Sequence, residues 1–205
     1  KAENGKQKGK AFIVRKNVSD DLWKNHIEGK GPALGIIPIT ESNDCKWGCI
    51  DIDEYNLNHH DLISRIRNLK LPLVVCRSKS GGAHVFLFTK DFVPAIRMQN
   101  TLKKMAKTLG REGCEIFPKQ TQLGIGSDGK SINGNFINLP YYNRKERVGV
   151  NLDGTEFTFE QFIKVVESNT KTKEDLENFA NDLIKLELTG GADEFVDGPV
   201  CLQRL

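Results

Sequence analysis

The chain has 205 residues, of which 38% are hydrophobic, 28% charged and 8% aromatic, with a formal net charge of +3. That apolar content supports a core without staples and is too high for general disorder. No apolar run reaches the roughly 20 residues that span a bilayer, which excludes a helical membrane span.

In chain order, residues 1–16 read as a flexible basic tail, opening KAENGKQKGK with no apolar stretch of a secretory signal. Ser19-Asp20-Asp21 predicts the capped start of a short helix through His26. Leu34–Ile39 and Trp47–Asp53 read as strands, separated by a loop. Leu62, Ile63, Ile66 and Leu69 repeat at helical spacing over 58–69. Leu73–Cys76 and Ala83–Phe88 read as a hairpin around the turn Ser78-Lys79-Ser80-Gly81-Gly82. A helix over 94–109 follows, with Met98, Leu102, Met105 and Leu109 on one face and Gly110 as its end. Glu115–Phe117 and Phe136–Leu139 are short strands flanking a Gly-rich loop at 124–135. Thr158 and Gln161 form a capping box opening a helix to about 167, and a further helix is predicted over 173–187. The central order β-α-β-β-α-β predicts an α+β fold: a split βαβ core on an antiparallel sheet.

Charge is unevenly placed. Residues 62–150 hold 16 Lys/Arg against five acids, and residues 151–205 hold 12 acids against five bases. A basic middle attracts a polyanion; the bland alternative is that Arg65–Lys70 and Arg97–Arg111 solvate two helices. The five cysteines (Cys45, Cys49, Cys76, Cys114, Cys201) are odd in number and scattered, which fits reduced thiols in a cytoplasmic protein. Cys45 and Cys49, with His59 and His60 downstream, make a zinc site conceivable, although a small buried thiol is the plainer reading of Cys49.

Three segments carry legible chemistry. In Ile50-Asp51-Ile52-Asp53, strand alternation sends the isoleucines to one side and both aspartates to the other. Adjacent carboxylates repel, and Mg²⁺ or Mn²⁺ relieves that repulsion; the alternative is a strand's polar end entering a turn. In Arg77-Ser78-Lys79-Ser80-Gly81-Gly82-Ala83-His84, the Gly/Ser turn frees backbone N–H groups for an anion, and His84 can donate to a phosphate oxygen. The alternative is a hairpin turn with an incidental histidine. In Glu115-Ile116-Phe117-Pro118-Lys119-Gln120, Glu115 is a candidate third carboxylate, and Lys119 and Gln120 are candidate nucleotide contacts; the alternative is a strand end and an ordinary turn.

Together these segments resemble the archaeo-eukaryotic primase superfamily, in the branch encoded by phages, plasmids and other mobile elements. Its hDhD motif is matched by Ile50-Asp51-Ile52-Asp53, its S-x-H motif by Ser80-Gly81-Gly82-Ala83-His84, and its third motif by Cys114-Glu115. Glu115-Ile-Phe-Pro-Lys-Gln120 and Gly134-Asn-Phe-Ile-Asn138-Leu-Pro140 also resemble text of that branch. Gly82 stands at the serine position of a strict S-x-H, so either Ser78 or Ser80 supplies the hydroxyl. The third motif carries Glu where the family has Asp.

The resemblance covers about 30–145 and implies an RRM-like antiparallel sheet with helices on one face, plus an adjoining small α/β unit. The implied catalytic domain is 17–167, with 168–205 a C-terminal helix and linker. The implied activity is template-directed nucleotidyl transfer on single-stranded DNA from NTPs or dNTPs. Asp51, Asp53 and Glu115 would hold two divalent ions, Mg²⁺ or Mn²⁺. Arg77, Ser78, Lys79, Ser80, Gly81, Gly82, His84, Lys119, Gln120 and Asn138 would hold the nucleotide. The ending, 197–205, resembles a linker towards a downstream accessory or helicase module. Two other classes fit parts of the pattern: another two-metal nucleic-acid enzyme, and a non-catalytic RRM-like binding module, which should carry aromatics rather than acids on its sheet face.

Overall fold

In a computed structural model describing residues 12–14, 19–127, 129 and 132–179, the elements run α1 (Asp20–Glu28), β1 (Gly35–Ile36), β2 (Asp44–Ile52), α2 (His59–Asn68), β3 (Val74–Arg77), β4 (Ala83–Pro94), α3 (Ala95–Thr108), β5 (Glu115–Phe117), β6 (Ile137–Asn138) and α4 (Phe159–Asn169). Four strands form one sheet in the order β3-β4-β2-β5, each neighbouring pair antiparallel. Helix α2 therefore joins two parallel strands with β4 inserted between them. Helix α3 does the same for β4 and β5 around β2. This doubled split βαβ unit is the predicted α+β topology.

Strand periodicity decides which face each helix covers. Ile50, Ile52, Val75, Val85, Leu87 and Ile116 point one way and bury against Leu62, Ile63 and Ile66 of α2 and Met98, Leu102 and Met105 of α3. Those helical residues recur three and four apart, so each helix presents one apolar stripe to the sheet.

The opposite face is equally apolar over most of its length. Cys49, Val74, Cys76, Phe86 and Phe117 point that way, under Ile137, Tyr141, Val148 and Phe162. Left wet, that surface would cost several kcal/mol, and the adjoining α/β unit covers it. That unit contains the two-stranded β1–β6 sheet, α1 and α4. Helix α4 starts at a complete capping box: Thr158 Oγ accepts from Gln161 N–H at 3.2 Å, and Gln161 Oε1 accepts from Thr158 N–H at 2.8 Å. Helix α1 is pinned by His26, whose Nε2–H donates to the Pro140 carbonyl at 2.9 Å while Nδ1 accepts from Leu34 N–H at 3.0 Å.

Differences from the sequence reading have physical causes. Strands expected over 34–39 and 136–139 shrink to two residues each, because Pro38 and Pro140 have no N–H to offer a ladder. Strand β4 runs six residues past Phe88, with Val93 and Pro94 pairing back onto Cys45 and Asp44. A bulge between Cys45 and Trp47 makes this pairing possible. It also puts Cys45 in the helix-side core and Cys49 in the opposite one, so the two thiols cannot share a zinc ion. Both are buried and free, the plain alternative for Cys49. Most of the expected 1–16 tail, and residues 180–205, lie outside the described residues; of the helix expected over 173–187, residues 173–179 are helical. Among the described residues no helix is long and apolar enough to cross a membrane.

Candidate active site

The pairing register draws a straight line across all four strands. Cys76 pairs with His84, His84 with Asp51, and Asp51 with Glu115. All four side chains share the face away from α2 and α3. The row below is Val74, Phe86, Cys49 and Phe117, wholly apolar and covered. The face thus changes from packed core to polar site within one strand residue pair.

Asp53 follows the end of β2, and the 78–82 turn folds over it. Ser80 Oγ–H donates to Asp53 Oδ1 at 3.2 Å, and the Ser78 and Ser80 hydroxyls lie 3.1 Å apart. The turn is closed by Ser78 N–H to the Gly82 carbonyl at 2.8 Å and Gly81 N–H to the Ser78 carbonyl at 3.1 Å. His59, in the first turn of α2, donates Nε2–H to the same Gly82 carbonyl at 3.0 Å. Gly82 has no alternative: a Cβ there would sit 2.0 Å from the Ile52 carbonyl oxygen. Gly81 holds a left-handed φ of 93°. The two glycines let the turn lie against the end of β2, which brings the serines to Asp53.

Electrostatics single out the middle of the row. Asp51 is pushed up to about 6, first by burial and then by the negative charges of Asp53 and Glu115; Lys119 partly offsets this. His84 is lowered to about 4, first by burial and then by the Arg147 guanidinium, against a smaller opposite pull from Asp53. His84 Nε2 lies 3.5 Å from Asp51 Oδ1, and its Nδ1 is buried with no hydrogen-bond partner. At neutral pH the imidazole is therefore neutral beside an ionised carboxylate. Glu115 is differently placed. Its carboxylate, more than half exposed, meets Lys119 Nζ at 2.7 Å, and that ammonium also stands 5.1 Å from the Phe117 ring centroid.

The remaining predicted residues divide. Ser78, Ser80, Gly81, Gly82 and Lys119 stand at this end of the sheet with Asp51, Asp53, His84 and Glu115. Lys79 reaches Glu146 at 3.4 Å. Arg77 turns to Glu156 at 2.9 Å. Gln120 bonds Asn135, through its amide N–H to the side-chain oxygen and its oxygen to the backbone N–H. Asn138 pairs with Gly35 in the small sheet. Sequence reasoning counted Arg147 only among the basic residues of the middle. The structure buries it beside His84, with its side chain 10% exposed. Nothing in its local sequence marks that position.

Asp51, Asp53 and Glu115 supply the hard oxygen donors that Mg²⁺ and Mn²⁺ take, and after burial the negative charges of Asp53 and Glu115 are what raise Asp51. Among the described residues, no three His, Cys, Asp or Glu side chains converge into a ready-made cage. An ion of the Mg²⁺ type suits that arrangement, since one or two carboxylates plus substrate phosphates ordinarily hold it. The donor set fits such an ion at Asp51 and Asp53, with Glu115 available once released from Lys119.

The acids and the histidine thus stand in one row of a four-stranded split βαβ sheet, under a Ser/Gly turn. A family profile described as the archaeo-eukaryotic primase domain of TOTE conflict systems matches residues 4–179. The chain belongs to that family of primases and nucleotidyltransferases. No curated protein matches it.

Proposed function

We propose that this chain performs template-directed nucleotidyl transfer, joining NTPs or dNTPs on single-stranded DNA with Mg²⁺ or Mn²⁺. The carrying observation is the position of Asp51, paired across the sheet with both His84 and Glu115. Bound divalent ions would lower the pKa of the attacking 3′-hydroxyl and stabilise charge on the reacting phosphate and leaving pyrophosphate. Asp51, on a strand paired on both sides, and Asp53, just past its end, would hold those ions, with Glu115 as a third donor. The Ser78 and Ser80 hydroxyls and the 78–82 backbone would orient the triphosphate. Neutral His84, nine-tenths buried, would hold a phosphate oxygen by an N–H without adding a charge that must be desolvated. Positioning and electrostatics of this kind supply most of the rate in phosphoryl transfer. The basic stretch 62–150 would follow the template through salt-sensitive phosphate contacts.

The test is incubation with labelled NTPs or dNTPs on unprimed and primed single-stranded DNA with Mg²⁺ or Mn²⁺. Incorporation by the wild type, and its loss in Asp51→Ala with the fold retained, is the expected result. Full incorporation by Asp51→Ala would remove the metal assignment. Degradation of the template without incorporation would favour a nuclease.

A further inference from the structure

Glu146 lies between two cations that come from different parts of the chain. Its Oε1 meets Lys79 Nζ at 3.4 Å, and its Oε2 meets Arg147 Nη1 at 3.3 Å. Lys79 belongs to the 78–82 turn. Arg147 belongs to the segment that runs back along β3, where Cys76 bridges Gly149 and Arg77 N–H donates to the Val148 carbonyl at 2.9 Å. Continuing that antiparallel register sets Arg147 opposite Ser78, at the mouth of the turn. The Arg147 side chain is 10% exposed and its backbone holds a left-handed φ of 58°. A non-glycine residue takes that conformation only when its surroundings impose it. A buried guanidinium with one long ion pair to its own chain neighbour is poorly compensated. Beside it stands His84, nine-tenths buried, with an unpartnered Nδ1. The exposed lysine and the buried arginine therefore flank an anion position that a monovalent carboxylate fills.

We propose that Glu146 is an internal stand-in for phosphate: an incoming nucleoside triphosphate displaces its carboxylate, and Lys79 and Arg147 become phosphate ligands. The inference rests on the nucleotide-transfer reading and adds to it a residue and a competing group. A polyphosphate carries more charge than a carboxylate and offers more acceptor oxygens, and a guanidinium can bind it in a bidentate manner. Glu146 can leave without disturbing the fold. Its backbone is held by Glu146 N–H to the Tyr142 carbonyl at 3.0 Å and Tyr141 N–H to the Glu146 carbonyl at 2.8 Å, and only its side chain, about one-third exposed, has to rotate.

Removing the competitor and removing the ligand have opposite signs, which a structural role for these residues does not produce. The experiment titrates ATP, and separately dATP, with Mg²⁺ into the intact chain without template, by calorimetry. Glu146→Gln is expected to bind about three- to tenfold tighter than wild type, and Lys79→Ala and Arg147→Ala about tenfold or more weaker, with Arg147→Lys between. Glu146→Gln binding no tighter than wild type, or Arg147→Lys binding as wild type does while Arg147→Ala merely unfolds, overturns the inference and leaves nucleotide transfer standing. A wild type that binds neither nucleotide removes both.

Discussion

Asp51 and His84 touch, and burial pushes them towards the same neutral state from opposite directions. Asp51, up at about 6, keeps its proton longer in the folded chain than in the unfolded one. Its contribution to stability is present at low pH and is lost as pH rises through about 6. His84, down at about 4, binds its proton later in the folded chain. Its contribution is present above the ordinary histidine range and is lost as pH falls towards 4. Over the interval from about 4 to 6 the two slopes oppose each other in the wild type. Relative to wild type, Asp51→Asn should be level at pH 4 and about 1–3 kcal/mol more stable at pH 7.5. His84→Gln should gain at pH 4 and lose that gain by pH 6.5. Urea midpoints at four pH values measure both. Parallel slopes for the two variants would mean that this pair does not set the acid behaviour. The two residues were legible because strand alternation and a two-residue acid spacing are local signals. Arg147 was not, because its role comes from a register between distant segments and its local sequence resembles any basic turn.

Helix α4 shows what a fully local signal achieves. Thr158 and Gln161 were readable as a capping box, and both reciprocal hydrogen bonds are made. The helix lies against β3 and β4 on the side of the second core, so its stability sets how firmly that core is closed. Thr158→Ala should cost about 1 kcal/mol, read as a lower urea midpoint with nucleotide affinity unchanged; a midpoint equal to wild type would show that tertiary packing alone holds the helix. Strand ends were less legible. The alternation in β4 breaks at Lys90-Asp91, so the sequence suggested an end at Phe88. The strand continues because Val93 is buried on the helix side and Thr89 Oγ–H ties back to the Lys46 carbonyl at 3.0 Å. Proline, by contrast, shortened β1 and β6 for a reason visible in the sequence once the strands had to pair.

The whole molecule is a sheet sealed on one face by its own crossover helices and on the other by chain from both sides of it. Tyr141 is the fastening of the second seal. It is buried, its hydroxyl donates to the Phe157 carbonyl at 2.9 Å, and it accepts from Gly149 N–H at 3.1 Å. Tyr141→Phe leaves both backbone groups unpaired and should cost about 1–3 kcal/mol, measured by urea unfolding; no loss of stability would mean that the segment is held elsewhere. The βαββαβ order was legible from hydrophobic periods, whereas the closure of the second face was not. It depends on residues such as Ile27, Val148 and Phe162, each unremarkable in its own stretch and apolar for the sake of a strand far away in sequence.

The lengths of the two strands that carry the acids divide the work of the site. Asp51 rides on β2, nine residues long and flanked on both sides. Glu115 opens β5, three residues long at the margin of the sheet. Ile116 and Phe117 fasten that short strand into the two cores, so freedom at this end belongs to the Glu115 side chain, 60% exposed against 26% for Asp51. One acid is fixed between two neighbouring strands, and the other is held at the margin by its lysine.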